Sequence, residues 1–473
     1  MIDMHYLDEN MVQVWEEHRY EKIFLLNHRW RTRDEVLKKG FKIFYQQITN
    51  DQLEAIRNLK CAKTENEYIQ LKERIGESLY RKLIKYDYLV KESTQELNNN
   101  VWHSQAGELL YKYLKSMYGI DYPERPSRVL LLPTLRCTGN CIFCITNSKP
   151  QNEQHEMGVN EWHNITERVC KELQPCSIDV VGGEPLLRYD VVLEIARVLS
   201  KNNILIKIIT NGLALIDIER VKELYGILHN SKHNIQISLD GFKEAHNTIR
   251  PGVDFEKVIK AIRNVHQIGL TFGINLTINK LNFDSVEDLM SELIQYDPSY
   301  ILVGPLQVSP KDIDLCKKIM ISNIEEQHLR KIINKMIVKY PNIIIKYDKS
   351  EPVYEKESLG IGSGKHFHTC TGFIEEMSIG PEGNLIPCLR STAYKEFWGS
   401  NIVHDSKNFT EHWISSDLAK RFRSIPISGK CAVCEYNCQC NQGCPLETYI
   451  LDGVFGGYDP HCTYIPLSLK KEN

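Results

Sequence analysis

Three cysteines close together in the sequence are the residues best placed to do chemistry. Cys137, Cys141 and Cys144 are separated by gaps of three and two residues and directly follow the apolar run 129–132. A loop leaving a buried strand can fold such thiols around one iron–sulfur cluster, which normally takes one thiolate per iron. Three ligands leave one iron open, and an open metal position indicates a reacting site rather than a structural one. A zinc knuckle and three unrelated buried thiols are the alternatives.

The composition limits the class of protein. The chain has 473 residues, which favours two or three domains. Its formal net charge of -3 gives no bulk attraction to nucleic acid or to an anionic membrane. The sequence shows no secretory signal and no apolar run long enough to cross a bilayer, so we expect a cytoplasmic protein. Fifteen cysteines in that reducing compartment favour metal or redox chemistry over disulfides.

The elements that must position the cysteine loop alternate between β-like apolar runs and amphipathic helical stretches. This alternation is typical of βα units around a parallel sheet. Six repeats between residues 126 and 350 predict an α/β domain, a partial (β/α)6 barrel, in which the chemistry lies at the carboxyl ends of the strands. The predicted strands are 128–132, 177–181, 204–210, 235–239, 272–278 and 300–303.

Polar or glycine-rich clusters follow several of these strands. Taken singly, each has the composition of an ordinary turn. The clusters in chain order are Gly182-Gly183-Glu184-Pro185, then Thr210-Asn211-Gly212, then Ser238-Leu239-Asp240-Gly241 with His246 and Arg250 beyond it.

The order of these clusters behind the cysteine loop resembles that of the radical S-adenosylmethionine (SAM) superfamily over about 150 residues. In that superfamily a [4Fe-4S] cluster with one open iron binds SAM and splits it to a 5′-deoxyadenosyl radical. The resemblance implies that the glycines and the glutamate hold the methionyl amine. It also implies that the serine and aspartate lie beside the ribose and carboxylate, that the arginine neutralises the carboxylate, and that a phenylalanine packs near the adenine. The implied SAM-binding residues are Phe143, Gly182, Gly183, Glu184, Ser238, Asp240 and Arg250.

A second set of cysteines occupies the region from about residue 366 to 466. Its spacing resembles the seven-cysteine signature of the SPASM domain, which carries two auxiliary [4Fe-4S] clusters in radical SAM enzymes acting mostly on peptides and proteins. A pair of structural zinc ribbons is the alternative. The resemblance implies an inner cluster on Cys370, Cys388 and Cys444, and an outer cluster on Cys431, Cys434, Cys440 and Cys462. The whole chain would then hold three [4Fe-4S] clusters and SAM.

Two departures from this pattern leave ligands open. Cys438 lies between Cys434 and Cys440 and could replace Cys440, although the spacing favours Cys440. Some family members supply a fourth inner cysteine between positions 370 and 388, and this sequence has none. That fourth iron is therefore open or closed by another side chain, for which the candidates are His366, His368 and Glu375. We expect the remaining cysteines to be buried small apolar residues, namely Cys61, Cys170, Cys176 and Cys316.

The region before the barrel, residues 1–125, is predicted to be mostly helical, with amphipathic segments at 34–47 and 65–91. At the end of this region a stretch with helical periodicity is followed by a β-like stretch, which resembles the end of a winged helix. Small domains of that kind bind leader peptides in many radical SAM enzymes. A plain helical cap on the barrel is the alternative. The proline-punctuated segment 122–126 predicts a linker, and residues 351–473 would form the SPASM domain.

These features together predict a radical SAM/SPASM maturase of a ribosomally synthesised peptide. Its product would be a thioether or carbon–carbon cross-link or a related oxidation, and its partners a precursor peptide with a leader and an electron donor such as flavodoxin or ferredoxin. The alternative is a small-molecule radical dehydrogenase or epimerase. An anaerobic sulfatase maturase is disfavoured, because Leu389 stands after Cys388 where those enzymes carry an aspartate base. The sequence identifies no catalytic acid or base.

Overall fold

The structure of the protein is a computed structural model. It describes most of the barrel and parts of the regions on either side. The described residues are 4–8, 12–17, 21–27, 45–91, 110, 114, 119, 122–151, 155–202, 204–229, 234–347, 370–403, 405, 407–436, 443–458, 462 and 464–469.

The amino-terminal region forms a small unit with its own apolar core. Threonines begin the first two helices with capping boxes, and Gly76, at φ +87°, separates the second helix from the third. One antiparallel sheet has the order β2-β3-β4, and β1 pairs with β5. The elements are β1 Tyr6–Leu7, β2 Val12–Glu17, β3 Lys22–Asn27, β4 Tyr45–Ile48, α1 Asn50–Asn58, α2 Glu65–Ile75, α3 Glu77–Lys85 and β5 Leu89–Val90.

This unit corrects part of the helical prediction. The predicted helix over 34–47 ends in strand β4, and residues 31–44 lie outside the described part of the chain. The predicted segment 65–91 is helical, with a break at Gly76, and it runs into β5 as the sequence indicated. The prediction missed the three-stranded sheet because its strands are short and are fixed by pairing between segments rather than by local pattern.

The barrel strands follow the sequence prediction closely. Six parallel strands lie side by side in chain order, each hydrogen-bonded to the next. They are β6 Arg128–Leu131, β7 Ser177–Val180, β8 Leu205–Thr210, β9 Asn234–Ser238, β10 Phe272–Ile278 and β11 Tyr300–Pro305. The helices between and after them are α4 Val159–Arg168, α5 Tyr189–Lys201, α6 Ile218–Leu228, α7 Lys243–Ile249, α8 Phe255–Ile268, α9 Val286–Leu293, α10 Ile313–Ile319 and α11 Asn323–Lys339. The α/β barrel prediction is confirmed.

The sheet continues beyond the six predicted strands on both sides. Strand β12, Ile344–Tyr347, pairs in parallel with β11. On the other side β13, Glu376–Ile379, pairs in parallel with β6 and is followed by the antiparallel β14, Leu385–Ile386. The cysteine-rich region is therefore bonded directly to the strand that leads into the first cysteine loop.

The rest of the carboxyl-terminal region is built from short helices around an aromatic core. The centre of the Phe397 ring lies 5.1 Å from that of Tyr449, in an edge-to-face contact, and 5.2 Å from that of Phe455. The helices are α12 Phe409–Ser415, α13 Asp417–Arg423, α14 Gly429–Ala432 and α15 Pro445–Asp452. Among the described residues we find no helix long and apolar enough to span a membrane.

The amino-terminal unit contacts the barrel through a few specific groups. The Arg125 guanidinium lies 4.4 Å from the centre of the Trp15 ring. Gln13 Nε2 donates to the carbonyls of Gln174 and Pro175 at 3.2 and 3.1 Å. These partners immediately precede β6 and β7, so the unit lies against the amino ends of the barrel strands, away from the ends where the chemistry is expected.

Candidate active site

A cavity of about 330 Å³ lies at the carboxyl ends of the six barrel strands. Residues in the carboxyl-terminal half of each of these strands, or following it, line the cavity, so the sheet curves around it. The lining residues are Cys137, Cys141, Phe143, Cys144, Ile145, Thr146, Val181, Gly182, Gly183, Ile209, Thr210, Asn211, Ser238, Arg250, Val253, Asn275, Leu276, Thr277, Gly304, Pro305, Leu306, Gln307 and Leu389.

The three cysteines of the first loop all line this cavity, and polar groups surround their sulfurs. The Gly139 amide donates to Cys137 Sγ at 3.3 Å. The Ser148 amide donates to Cys144 Sγ at 3.4 Å, and Thr146 Oγ1 lies 3.2 Å from the same sulfur. Hydrogen bonds of this kind stabilise sulfur ligands of an iron–sulfur cluster and tune its potential.

Arg250 gives the site its cation. Its Nη1 lies 3.7 Å from Cys141 Sγ, and its Nε donates to Asp240 Oδ2 at 2.5 Å. Burial raises the pKa of the Cys141 thiol, and the Arg250 charge opposes that rise. Burial, followed by the Glu184 carboxylate, raises the pKa of Cys137 to about 12. A positive metal centre would have to offset this cost of ionising the thiols.

The segment 249–253 supports the cysteine loop from behind. The Asn140 amide donates to the Pro251 carbonyl at 2.7 Å, and the Ile142 amide donates to the Ile249 carbonyl at 3.0 Å. A Cβ on Gly252, which has φ +86°, would lie 2.6 Å from the Thr138 carbonyl oxygen. The stretch that carries Arg250 and the stretch that carries the cysteines therefore form one packed unit.

Gly182 and Gly183 line the cavity and are also required for packing. A Cβ on Gly182 would lie 2.2 Å from the carbonyl oxygen of Thr134, and one on Gly183 would lie 2.2 Å from that of Arg136. The Gly183 amide donates to the Thr134 carbonyl at 2.9 Å. Only glycine lets the turn after β7 approach the start of the cysteine loop this closely.

The structure places Glu184 behind the cavity wall rather than on it. The side chain is fully buried, and its oxygens accept from Thr210 Oγ1 at 2.7 Å, the Asn211 amide at 2.7 Å and the Leu186 amide at 3.0 Å. Burial raises its pKa, and these hydrogen bonds act in the opposite direction. Glu184 thus joins the turn after β7 to the end of β8 and is not among the cavity-lining residues.

Asn211 is a site residue that the sequence analysis passed over. Its Nδ2 donates to Thr138 Oγ1 at 3.1 Å and lies 4.0 Å from Cys137 Sγ. The Thr210-Asn211-Gly212 cluster at the end of a predicted strand was the available signal. Asn275, Thr277 and Gln307 also line the cavity, and nothing in their local sequence distinguishes them.

Asp240, like Glu184, lies behind the cavity wall and holds residues that line it. It is fully buried, and besides the Arg250 contact its Oδ1 accepts from the Thr277 amide at 2.7 Å. It does not line the cavity, whereas Ser238 and Phe143 do. The Arg250 guanidinium lies 5.5 Å from the centre of the Phe143 ring. The predicted SAM-binding residues are therefore brought together, five on the cavity wall and two in the layer behind it.

The cysteines of the predicted inner set come together from distant parts of the sequence. Cys388 follows β14, and Cys444 begins α15. Burial raises the pKa of Cys370, and the neighbouring charges of Cys444 and Cys388 raise it further. Glu375 lies close enough to act on Cys370 in the same direction, so of the three non-cysteine candidates it is the one the structure places beside this set. His366 and His368 lie outside the described residues.

Three cysteines of the outer set lie in one corner of the carboxyl-terminal region. The Cys434 amide donates to the Cys431 carbonyl at 3.3 Å. The Lys430 ammonium donates to the Cys462 carbonyl, which brings the end of the chain back to this turn. Cys438 and Cys440 lie outside the described residues, so the choice between them stays a prediction.

Three of the four remaining cysteines are buried, as expected, and one is exposed. Cys170, Cys176 and Cys316 are buried, as predicted. Cys61 is exposed, which corrects the prediction for that residue. It ends a short 3₁₀ turn after α1, where the chain is at the surface.

The residues present fit an iron–sulfur cluster with an open iron. Three thiols line one cavity, amide donors and one arginine point at their sulfurs, and the rest of the wall offers no further thiol among the described residues. Cys137, Cys141 and Cys144 would hold such a cluster, and the cavity beside them would take its exogenous ligand.

Comparison with known proteins agrees with this geometry. Residues 131–293 match the family model of the Radical SAM superfamily. A PqqA peptide cyclase from Bradyrhizobium diazoefficiens is 23% identical over 362 residues, covering 72% of this chain and 87% of that protein. Among solved structures, Streptococcus suis SuiB bound to precursor peptide SuiA has a TM-score of 0.69 at 17% identity, covering 98% of this chain and 100% of that one. The AdoMet-bound enzyme anSMEcpe has a TM-score of 0.52 at 19% identity, covering 72% and 93%.

The matched residues run from the last residue of β6 to the last residue of α9, so they contain the cysteine loop, the turn after β7 and Arg250. Sequence match, parallel barrel and thiol-lined cavity coincide on the same segment. Residues 131–293 therefore form a radical SAM domain, and the protein is an enzyme.

Proposed function

We propose that this enzyme matures a ribosomally synthesised peptide, forming a thioether or carbon–carbon cross-link or a related oxidation. The observation that carries the proposal is the position of the inner cysteine set beside the cavity. Leu389, the residue directly after Cys388, is itself part of the cavity wall. A substrate in the cavity would thus lie between two metal centres, which suits a reaction that both removes a hydrogen atom and disposes of an electron.

The chain's own residues would bind and orient the reacting groups. Cys137, Cys141 and Cys144 would hold a [4Fe-4S] cluster, which together with SAM supplies a 5′-deoxyadenosyl radical for hydrogen abstraction. Arg250 would neutralise the SAM carboxylate, and the Phe143 ring would pack against the adenine. Gly182, Gly183 and Ser238 would complete the wall around SAM by close backbone and hydroxyl contact.

The two buried carboxylates would orient rather than contact SAM. Asp240 fixes the Arg250 guanidinium, and Glu184 fixes Asn211 beside Cys137. Apolar side chains on the wall, among them Ile145, would exclude water from the reacting atoms.

Two auxiliary [4Fe-4S] clusters complete the proposal. The inner one would be held by Cys370, Cys388 and Cys444, and the outer one by Cys431, Cys434, Cys440 and Cys462. The inner one would receive the electron left on the substrate, and a flavodoxin or ferredoxin would supply the electron that starts the reaction. No Asp or Glu lines the described cavity, so this wall provides no carboxylate base of the kind that sulfatase maturation needs.

The names of similar proteins support a peptide substrate. One is called a PqqA peptide cyclase, and SuiB was solved with its precursor peptide SuiA. The amino-terminal unit, which has strands, helices and an apolar core of its own, would recognise the leader of such a peptide. A small-molecule dehydrogenase or epimerase is disfavoured, because a small substrate would not need a separate recognition domain.

The test is to search for a short precursor-peptide reading frame beside this gene and to incubate its peptide anaerobically with the enzyme, SAM and a reductant. We expect 5′-deoxyadenosine and a peptide that has lost two hydrogen atoms for each cross-link. The variant with Cys137, Cys141 and Cys144 all replaced by alanine should form neither product. An unmodified peptide, together with turnover of a small amine or sugar, would refute the proposal.

A further inference from the structure

Arg390 is a buried cation that neither binds SAM nor holds a cluster in the proposed function. It stands two residues after Cys388 in a 3₁₀ turn, and it is 7% exposed. Its Nη1 donates to the Val308 carbonyl at 3.3 Å, and its Nη2 donates to Gln307 Oε1. Gln307 lines the cavity, so this guanidinium links the inner cysteine set to the active-site wall.

The counter-charge of Arg390 comes from the second segment of the inner set. Its Nη1 lies 3.6 Å from Glu447 Oε1, and both side chains are nearly buried. Glu447 stands three residues after Cys444, in the first turn of α15, and its amide donates to the Cys444 carbonyl at 3.1 Å. The ion pair thus joins the Cys388 segment to the Cys444 segment.

The same arginine also reaches toward the SAM-side cysteine loop. Val308, whose carbonyl it holds, is followed by Ser309, whose Oγ donates to the Cys144 carbonyl at 2.8 Å. Two residues further on, Lys311 Nζ donates to Asn140 Oδ1 at 2.6 Å. The segment 307–311 therefore lies between the two cysteine sets and is held at both ends.

A fixed buried charge near an iron–sulfur cluster changes its reduction potential. Reduction adds one negative charge, so a nearby cation stabilises the reduced state and a nearby anion destabilises it. Burial keeps the dielectric low around Arg390, so solvent screens the effect little. An arginine side chain stays protonated in folded proteins, so this group is charged.

We propose that Arg390 is a positioning residue that raises the reduction potential of the inner auxiliary cluster, with Glu447 as the opposing charge, and that holds Gln307 on the cavity wall. The proposal rests on the proposed function in one respect, the assignment of Cys370, Cys388 and Cys444 as ligands. A higher potential makes the inner cluster a better electron acceptor for a substrate in the adjoining cavity.

The experiment measures potentials rather than turnover. The background is the full-length chain with Cys137, Cys141 and Cys144 replaced by alanine, reconstituted anaerobically, so that only auxiliary clusters contribute. Redox titration followed by electron paramagnetic resonance gives the potential of each. We expect Arg390→Gln to lower the potential of the inner cluster, Glu447→Gln to raise it, and Arg390→Lys to leave it nearest to the parent value.

The matched control is Arg421→Gln. Arg421 belongs to the same region, and its guanidinium lies 4.5 and 4.7 Å from the ring centres of Phe397 and Phe455. Within the described part of the chain it contacts no cysteine. Its loss should leave the inner potential unchanged. The outer cluster, measured in the same samples, should keep its potential in the Arg390 and Glu447 variants.

The outcomes separate the two proposals. If the parent background assembles no inner cluster by iron and sulfide analysis, the ligand assignment of the proposed function fails. If the cluster assembles and the Arg390→Gln and Glu447→Gln potentials do not move in opposite directions, the role of Arg390 is refuted. If Arg390→Gln prevents assembly, Glu447→Gln decides, since it leaves the arginine in place: a raised potential supports the proposal, and an unchanged or lowered one overturns it.

Discussion

At the scale of single residues, the site depends on two buried acidic side chains that do not line the cavity. Asp240 and Glu184 are fully buried, and each fixes a residue that does line the wall, Arg250 in one case and Asn211 in the other. Loss of Asp240 would leave the buried Arg250 charge without its partner, and loss of Glu184 would leave buried hydrogen-bond donors unsatisfied. We therefore expect their replacement to disturb the site through Arg250 and Asn211.

Replacing Asp240 by asparagine should destabilise the protein and weaken SAM binding together. The Arg250 charge would lose its buried partner, which costs about 3 kcal/mol of unfolding free energy. Chemical denaturation and equilibrium binding of SAM measure the two effects. The control is Glu256→Gln, which breaks an exposed pair with Lys243 at 3.4 Å and should cost less than about 1 kcal/mol. Equal losses in both variants would contradict this account.

His246 should make the protein acid-sensitive. Burial, with a smaller contribution from Arg250, lowers its pKa from 6.5 to about 4. Between these values the unfolded chain binds a proton that the folded chain does not, so stability is lost as pH falls through this window. The shift corresponds to about 3 kcal/mol.

The measurement is the unfolding free energy at several pH values between 7 and about 4, compared with that of His246→Asn. This variant should lack most of the slope. Replacing the exposed His266 of α8 by asparagine should preserve it. A His246→Asn profile parallel to that of the wild type would show that other groups cause the acid loss.

At the scale of elements, the site depends on how closely two turns approach each other. The turn after β7 touches the backbone of residues 134–136, which begin the cysteine loop, and the segment 249–253 closes the loop from the other side. Strand β13 pairs with β6, the strand that leads into the cysteine loop, and so attaches the cysteine-rich region there. In this pairing Met377 lies opposite Val129 and Ile379 lies opposite Leu131. The cysteines are thus positioned by backbone contacts between elements.

Gly183→Ala should disturb the cysteine loop. The new methyl group would lie 2.2 Å from the Arg136 carbonyl oxygen, and relieving such a clash costs about 1–3 kcal/mol or displaces the loop. We expect a lower melting temperature and less iron in the SAM-side cluster. Gly226→Ala, in α6 with nothing within 4 Å, should instead stabilise the protein by about 0.5–1 kcal/mol. An unchanged iron content in Gly183→Ala would contradict the expected displacement.

At the scale of the whole molecule, the nine-stranded sheet joins the barrel to the cysteine-rich region. The parallel strands run from β12 through the barrel to β13, so the cysteine-rich region is an extension of the barrel sheet. The amino-terminal unit contacts the opposite ends of the strands through Trp15 and Gln13. A leader bound to that unit would therefore lie away from the cavity, and the modified segment would have to reach around the barrel.

Anaerobic reconstitution should load the full chain with three clusters, or about twelve irons with matching sulfide. The variant lacking Cys137, Cys141 and Cys144 should retain about eight, because the auxiliary ligands lie on other segments. Iron and sulfide analysis with absorption spectroscopy measures both. A full chain that takes up only one cluster, or that binds zinc without sulfide, would contradict the ligand assignment in the carboxyl-terminal region.

The sequence by itself determined the six barrel strands, the cysteine loop and the polar clusters at the strand ends, because each depends on periodicity or spacing within a short stretch. The strand bounds agree with the structure within a few residues, Tyr300–Pro305 being the largest extension. Only the tertiary structure decided that Glu184 and Asp240 lie behind the wall, that Arg390 joins two cysteine segments, and that β13 adds to the barrel sheet. These features are contacts between residues far apart in the chain, and no local pattern records which distant segments will meet.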